Sequence, residues 1–281
     1  MTSFKKSNLQ TTSNWDAICK HISSKTQTMT VSEFLDLRPK VPIILLKHDV
    51  ECDVDKSLAI AAIESKWGLK ATYYFQREIL YSYSEDVKKI GSLGHEVAYH
   101  YDVLDRNYGN MDSALLMFNK DLLEFKRIGF NIRTVCPHGN PIMNRDGWNS
   151  NKDFYRNERV RQSYPLIRDV VVESKDLFGE DFIYLTDAGY SWKRVGAVDE
   201  NDRQQIPDQE ISNIFEVLIN SETSNDIIIL SSHPHRWLNS AFLAWSKRQI
   251  FFIVRSIARL FSKINLLNRL MSKFYSIARR F

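Results

Sequence analysis

The sequence predicts an α/β fold built on a parallel sheet, and three observations carry that prediction. Seven short apolar runs of strand character recur along the chain, most are separated by helical patterns, and acids and imidazoles collect where the runs end. Strands joined through helices return in the same direction. Closed on itself, such a sheet becomes a distorted (β/α)7-type barrel whose strand ends share one face. The expected divisions are a helical lead (1–40), the barrel (41–240) and a basic C-terminal amphipathic helical extension (241–281). A length of 281 residues suits one barrel with additions.

From Asn14 to Leu37 the pattern is helical with a Thr-rich interruption, and Thr30-Val-Ser-Glu33 has the form of a capping box ahead of Pro39. Ile43 to Leu46 has the length and branching of a core strand, and it runs into His48, Asp49, Glu51 and Asp53. Side-chain alternation puts Asp49 and Glu51 on one side and His48 and Val50 on the other. Two carboxylates in a small space suit one as a metal ligand and the other as a base. Asp53 is read as the cap of the next helix.

That helix spans Lys56 to Trp67 and closes at Gly68; a strand follows from Ala71 to Gln76. Tyr83 to Ser92 is helical, and His95 to His100 is a strand with an imidazole at its far end. Met111 to Ile128 is strongly periodic and stops at Gly129, before a strand from Arg133 to Gly139. Beyond a Gly- and Asn-rich loop, Asp169–Glu173 and Phe182–Thr186 are read as strands with little room for regular helices around them. Ile211 to Asn220 is helical, and Asp226 to His235 is the last strand. Asp49, Glu51, His100, His138 and His233 all fall at strand ends.

Composition is that of an ordinary folded protein. No fixed-period repeat or Gly-rich phosphate loop is present, which argues against solenoids and phosphate-loop enzymes. The basic start lacks the apolar run of a secretory signal, and no stretch approaches the ~20 apolar residues needed to span a bilayer. Cys19, Cys52 and Cys136 are odd in number and not spaced as a zinc knuckle, which points to free thiols in a reducing compartment, the cytoplasm by default.

The net charge of +4 conceals a division: nine of the 38 Lys and Arg lie between Ser246 and Phe281, where there is no Asp or Glu. In this tail apolar positions from Ile250 through Ile253, Ile257, Leu260, Ile264 and Met271 to Ala278 keep helical spacing, with Arg255, Arg259, Lys273 and Arg280 off the stripe. Asn265 and Asn268 are places where it could break into two helices. Such a helix suits an anionic membrane surface, which would make the protein peripheral at the inner face of the membrane; packing on the barrel or on a second copy suits it equally. Nucleic acid is not expected, because the stripe is apolar rather than polar with interleaved aromatics. The oligomeric state is left open.

Five motifs, in order, resemble the polysaccharide deacetylase family (the NodB homology domain, carbohydrate esterase family 4) over Pro42 to Trp237. They are His48-Asp-Val-Glu51, Gly94-His-Glu-Val-Ala-Tyr-His100, Cys136-Pro-His-Gly139, Asp187-Ala-Gly-Tyr-Ser-Trp192 and Leu230-Ser-Ser-His233. The resemblance implies Asp49 as catalytic base, Glu51 and His100 as metal ligands, the backbone around His138 and Gly139 as oxyanion holder, Asp187 to Trp192 as pocket wall and His233 as general acid. His235, on the same face, is the rival acid or a substrate contact. Tyr99, Tyr101, Trp148, Trp192 and Trp237 suit sugar stacking and core packing equally.

Two positions depart from the family pattern. Leu104 stands where a second ligand histidine usually follows the first, and Val135 where an arginine precedes the Pro-x-Gly turn. The third ligand is then expected to be His138, with Asp102 and Asp105 as rivals. Imidazole and carboxylate donors suit a divalent ion, zinc first. The implied activity is metal-dependent removal of an N-acetyl or other acyl group from a sugar or glycan precursor, lipid-linked or nucleotide-linked, in surface polysaccharide synthesis. The alternative is a glycan-binding or scaffolding descendant that lost its metal with the change to Leu104.

Overall fold

The computed structural model describes residues 9–39, 42–140, 143, 145–196, 202–220 and 227–261. Two helices lead, α1 (Thr12–Ser23) and α2 (Val31–Leu37). The capping box of α2 is present: the Thr30 side chain accepts from Glu33 N–H while the Glu33 carboxylate accepts from Thr30 N–H. The central strand β1 (Ile43–Val50) is followed by α3 (Val54–Lys66), β2 (Ala71–Phe75), α4 (Arg77–Ser82), α5 (Ser84–Ser92) and β3 (Glu96–Tyr101). Then come α6 (Val103–Arg106), α7 (Met111–Arg127), β4 (Thr134–Pro137), α8 (Lys152–Arg156), α9 (Glu158–Ser163) and β5 (Arg168–Asp169). The chain continues through α10 (Ser174–Phe178), β6 (Ile183–Thr186), β7 (Lys193–Arg194), β8 (Gln209–Glu210), α11 (Ile214–Asn220), β9 (Ile227–Ser232) and α12 (Ala241–Phe261).

The strands form one sheet in the order β5-β4-β3-β2-β1-β9-β6-β7-β8. The first seven in that order are parallel, as expected, while β7 and β8 add an antiparallel ribbon that the sequence did not signal. Inward side chains form a single small core from Ile43, Leu45, Tyr74, Ala98, Cys136 and Ile229, so the sheet curls around a common interior. Val31 and Phe34 of α2 enter the same cluster. Between β5 and β6, unpaired among the described residues, Phe178 bridges Phe34 and Phe182 with ring centroids at 5.7 and 5.6 Å. Outward residues such as Leu46, Tyr73, Val97 and Leu230 build a larger core under the helices, joined by Trp15 and Ile18 of α1.

Three local expectations need correction. The strand predicted from Asp169 to Glu173 stops at Asp169, whose Oδ1 accepts from Val171 and Val172 N–H at 2.9 Å and turns the chain off the sheet. The region held to lack room for helices carries the short α8, α9 and α10. Asp53 occupies the N-cap position of α3 in a left-handed conformation (φ 50°), but it makes no capping bond and pairs with Lys56 at 2.6 Å instead. Gly68 and Gly129, predicted as helix stops, take φ of 67° and 103° after α3 and α7, which favours glycine there. No described helix is long and apolar enough to cross a membrane. Asn265, Asn268 and the tail stripe from Ile264 onward lie outside the described residues.

Candidate functional site

The carboxyl ends of β1, β3 and β4 bring the predicted residues together. Alternation along β1 places Lys47 and Asp49 on the interior side, with Glu51 just beyond the strand, while His48 turns outward to the buried Glu64 (Nε2 to Oε1 2.7 Å). β3 delivers His100, and the turn after β4 delivers His138. Glu51 Oε1 stands 3.2 Å from His138 Nδ1 and 3.7 Å from His100 Nε2, and the two imidazole nitrogens are 3.3 Å apart. Donors about 2.1 Å from a tetrahedral ion are separated by roughly 3.4 Å, so this triangle has the dimensions of three ligands on one small divalent cation. Both rings are buried, and His138 and His100 hold the Glu51 carboxyl well below its ordinary range although burial pushes the other way.

A second triad, Asp49, His100 and Cys136, lies on the interior side of the first. It already contains a cation. The Lys47 ammonium, fully buried, donates to Asp49 Oδ1 and lies 5.0 Å from the Tyr74 ring centre. Burial is the largest effect on Lys47 and opposes its charge, but the charge and hydrogen bond of Asp49 together with smaller neighbouring contributions hold the ammonium above its usual range. Burial likewise opposes the Asp49 charge, and Lys47, His100 and His233 together hold that carboxyl low. Burial and Asp49 push the Cys136 thiol up, so it stays protonated and is a poor ligand. His100 Nδ1 lies 3.2 Å from the Cys136 carbonyl; donating there directs the Nε2 lone pair to Glu51 and His138.

Across the mouth, His233 follows β9, and its Nδ1 lies 2.6 Å from Asp187 Oδ1. Asp187 is fully buried and also accepts from His233 N–H (3.1 Å), Trp237 Nε1 (3.1 Å) and Ser232 Oγ (3.3 Å). Burial would raise its carboxyl, yet His233 and Arg236 keep it low, so Asp187 is an anion that orients one imidazole. Its expected place on the pocket wall is therefore corrected: Asp187 is fully buried, behind His233. Trp192 is corrected more sharply, since it is 1 % exposed and packs in the outer core 6.2 Å from Trp237. Tyr99, Tyr101 and Trp237 are core residues too, their polar atoms donating to Asp121, Asp169 and Ser232. His235 is the poorer candidate for general acid: burial depresses it to about 3, so it holds no proton to give at neutral pH, and its Nδ1 has no hydrogen-bond partner among the described residues. Gly139 sits where a side chain would meet nothing within 4 Å, on open space beside His138.

No family model matches the chain, and no curated protein matches it in sequence. Among solved structures it is similar to a mutant of the peptidoglycan deacetylase PdaC from Bacillus subtilis: 13% identity over 86% of this chain and 98% of that one, TM-score 0.39. It is similar to a family 4 carbohydrate esterase from Streptomyces lividans solved with acetate (15% identity, 76% and 89% covered, TM-score 0.39). A CE4 family pseudoenzyme from Bacillus anthracis is another (12% identity, 75% and 62% covered, TM-score 0.42). The likeness to all three is one of fold.

The positions noted in the sequence as departures can now be placed. Leu104 is buried in the outer core. The rivals of His138 for the third ligand are engaged elsewhere: Asp102 pairs with Arg106 at 2.6 Å, and Asp105 takes a two-pronged pair from Arg145 (2.7 Å each) with Trp148 and Asn151. Of the three, His138 is the one whose ring meets Glu51 and His100. Val135 is likewise buried in the outer core, and two cations stand near the acids, Lys47 at Asp49 and Arg236 at Asp187 (3.6 Å). Sequence reading passed over Lys47, Cys136 and Arg236. The first two carried a signal, lying two residues before Asp49 and His138 and hence on the same strand face.

Proposed function

We propose that the chain is a metal-dependent hydrolase that removes an N-acetyl or other acyl group from a sugar or glycan precursor. The observation that supports it is the Glu51–His100–His138 triangle, with edges of 3.2 to 3.7 Å, set beside one carboxylate and facing a carboxylate–imidazole pair. Glu51, His100 and His138 would hold a divalent ion, zinc by donor type, which would supply a water of lowered pKa and a Lewis acid for the acyl carbonyl. Asp49 accepts the proton of the attacking water; Lys47 and Cys136 engage its Oδ1, which leaves Oδ2 to take that proton. His233, oriented through Nδ1 by Asp187, delivers a proton from Nε2 to the leaving amine. His138 N–H donates to the Tyr101 carbonyl at 2.7 Å, so the backbone donor toward the oxyanion is that of Gly139. Buried free thiols at Cys19 and Cys136 fit a reducing, cytoplasmic setting.

The test couples metal content to turnover. Purified protein carries about one divalent ion per chain, Glu51→Gln and His138→Ala lose it, and Asp49→Asn and His233→Ala keep it but lose ~10²–10⁴-fold in hydrolysis of N-acetylated sugars. Leu104 favours a second reading, a glycan-binding descendant without chemistry, because it withdraws one ligand of the usual set. Protein that takes up no divalent ion yet binds glycan supports that second reading and sinks the first.

A further inference from the structure

The helix α12 presents two faces of different character. Ala244 is buried against Leu9 and Leu238, and Phe251, seven residues on, lies 5.1 Å from the Tyr190 ring. Arg255, a further turn along, reaches the backbone at Gly189, where an added Cβ would lie 3.7 Å from its Nη1. Lys247, on the same stripe, is close enough to Asp53 and Lys56 to feel their charges. This seated face therefore spans from the loop after β1, which carries Glu51, to the loop after β6, which carries Asp187. On the opposite side Phe242, Ile250 and Ile253 are 71, 53 and 59 % exposed, with Leu243, Trp245 and Val254 exposed beside them. Arg248 and Arg255 lie on the seated side with Ala244 and Phe251, and no acid occurs from Ser246 to the last residue, Phe281, a stretch with nine Lys and Arg.

From this we propose that α12 docks on an anionic lipid bilayer, setting the mouth of the site against the membrane surface. An exposed apolar face on a segment whose charges are all positive matches the two components of such an interface, acyl chains for the face and anionic headgroups for the net charge. It matches a second copy of the chain poorly, because two segments of the same net positive charge would be brought together. The helix lies in the interface and does not cross it, in keeping with its length and hydropathy. The proposal concerns location and stands independently of the hydrolytic reading.

Sedimentation of the full chain with vesicles tests it. Vesicles containing phosphatidylglycerol capture the protein at low ionic strength with a preference of about tenfold or more over pure phosphatidylcholine, and added salt releases it. The exposed double substitution Ile250→Asp with Ile253→Asp lowers capture about tenfold or more while melting and far-UV dichroism stay as in the parent. Glu51→Gln, which removes a metal ligand, is captured like the parent, so a dead enzyme and a misassigned surface are told apart. Equal capture by both vesicle types, no capture at low salt, or capture indifferent to the double substitution overturns the proposal. A dimer in sedimentation velocity that the double substitution disperses, without vesicle capture, assigns the face to a second copy instead.

Discussion

Replacing Glu64 with leucine tests how β1 is held in place from behind. Glu64 lies on α3, fully buried, and accepts from His48 Nε2 at 2.7 Å, Tyr73 OH at 2.7 Å and Trp15 Nε1 at 3.2 Å. Leucine fills a similar volume but leaves three buried donors without an acceptor. Each orphaned donor costs about 1–3 kcal/mol, and because the three share one partner their sum is not additive, so about 4–6 kcal/mol is expected. Against a total stability of about 5–15 kcal/mol that is close to unfolding. Glu64→Gln keeps one acceptor oxygen and should lose only about 1–3 kcal/mol. Urea melts followed by circular dichroism at neutral pH measure both. A loss below about 1 kcal/mol for Glu64→Leu would mean that the donors find other partners and that the cluster does not clamp the strand.

Lys47→Met should cost about 3–5 kcal/mol by stranding the Asp49 carboxylate, and adding Asp49→Asn should recover most of it; the same loss in the double variant refutes the pairing. Stability should fall in acid: burial depresses His95 below its ordinary 6.5, so below that pH the unfolded chain binds a proton that the folded chain resists. Glu64, held below 4.5 by His48 against the pull of burial, adds a further loss as pH falls below 4.5; a melting temperature flat from pH 7 to 4.5 would contradict the first and one flat below 4.5 the second. Asp105→Asn should lower stability by weakening its contacts with Arg145, Trp148 and Asn151 while leaving metal uptake intact; lost metal would make Asp105 the third ligand after all. Trp192→Ala should cost about 3–5 kcal/mol of stability, and Trp192→Phe should leave the KM for a sugar unchanged, since the ring lies in the core.

The helix stops at Gly68 and Gly129, the capping box at Thr30 and the strand ends carrying Asp49, His100 and His233 were legible because each has a local cause. A glycine at positive φ, a hydroxyl three residues before a glutamate and an apolar run meeting an acid are all written in neighbouring positions. The ribbon of β7 and β8 was not legible: each strand is two residues long, too short for period-two alternation to register. The fate of Asp169 turned on its own side chain bonding forward to the backbone, which competes with extension in a way that a count of apolar residues does not see. At the site, the candidate ligands could be named but their neighbours could not. Arg236 approaches Asp187 only because the turn Pro234–Arg236 folds back after β9, and Trp192 reads as a pocket residue until its burial is known.

The strand order has a consequence for how the chain acquires its shape. β1 carries Asp49 at the centre of the sheet, yet one of its neighbours, β9, is made after all the other strands, so residues near the start of the barrel wait for residues near its end. Until β9 arrives, β1 offers an open row of donors and acceptors flanked by apolar side chains, the kind of edge to which another chain can add. The half of the site bearing His233 and the half bearing Asp49 thus become one only when that gap closes. Residues from Ile227 onward therefore govern solubility during synthesis as well as chemistry afterwards, and partial chains ending before them should be the ones that chaperones retain.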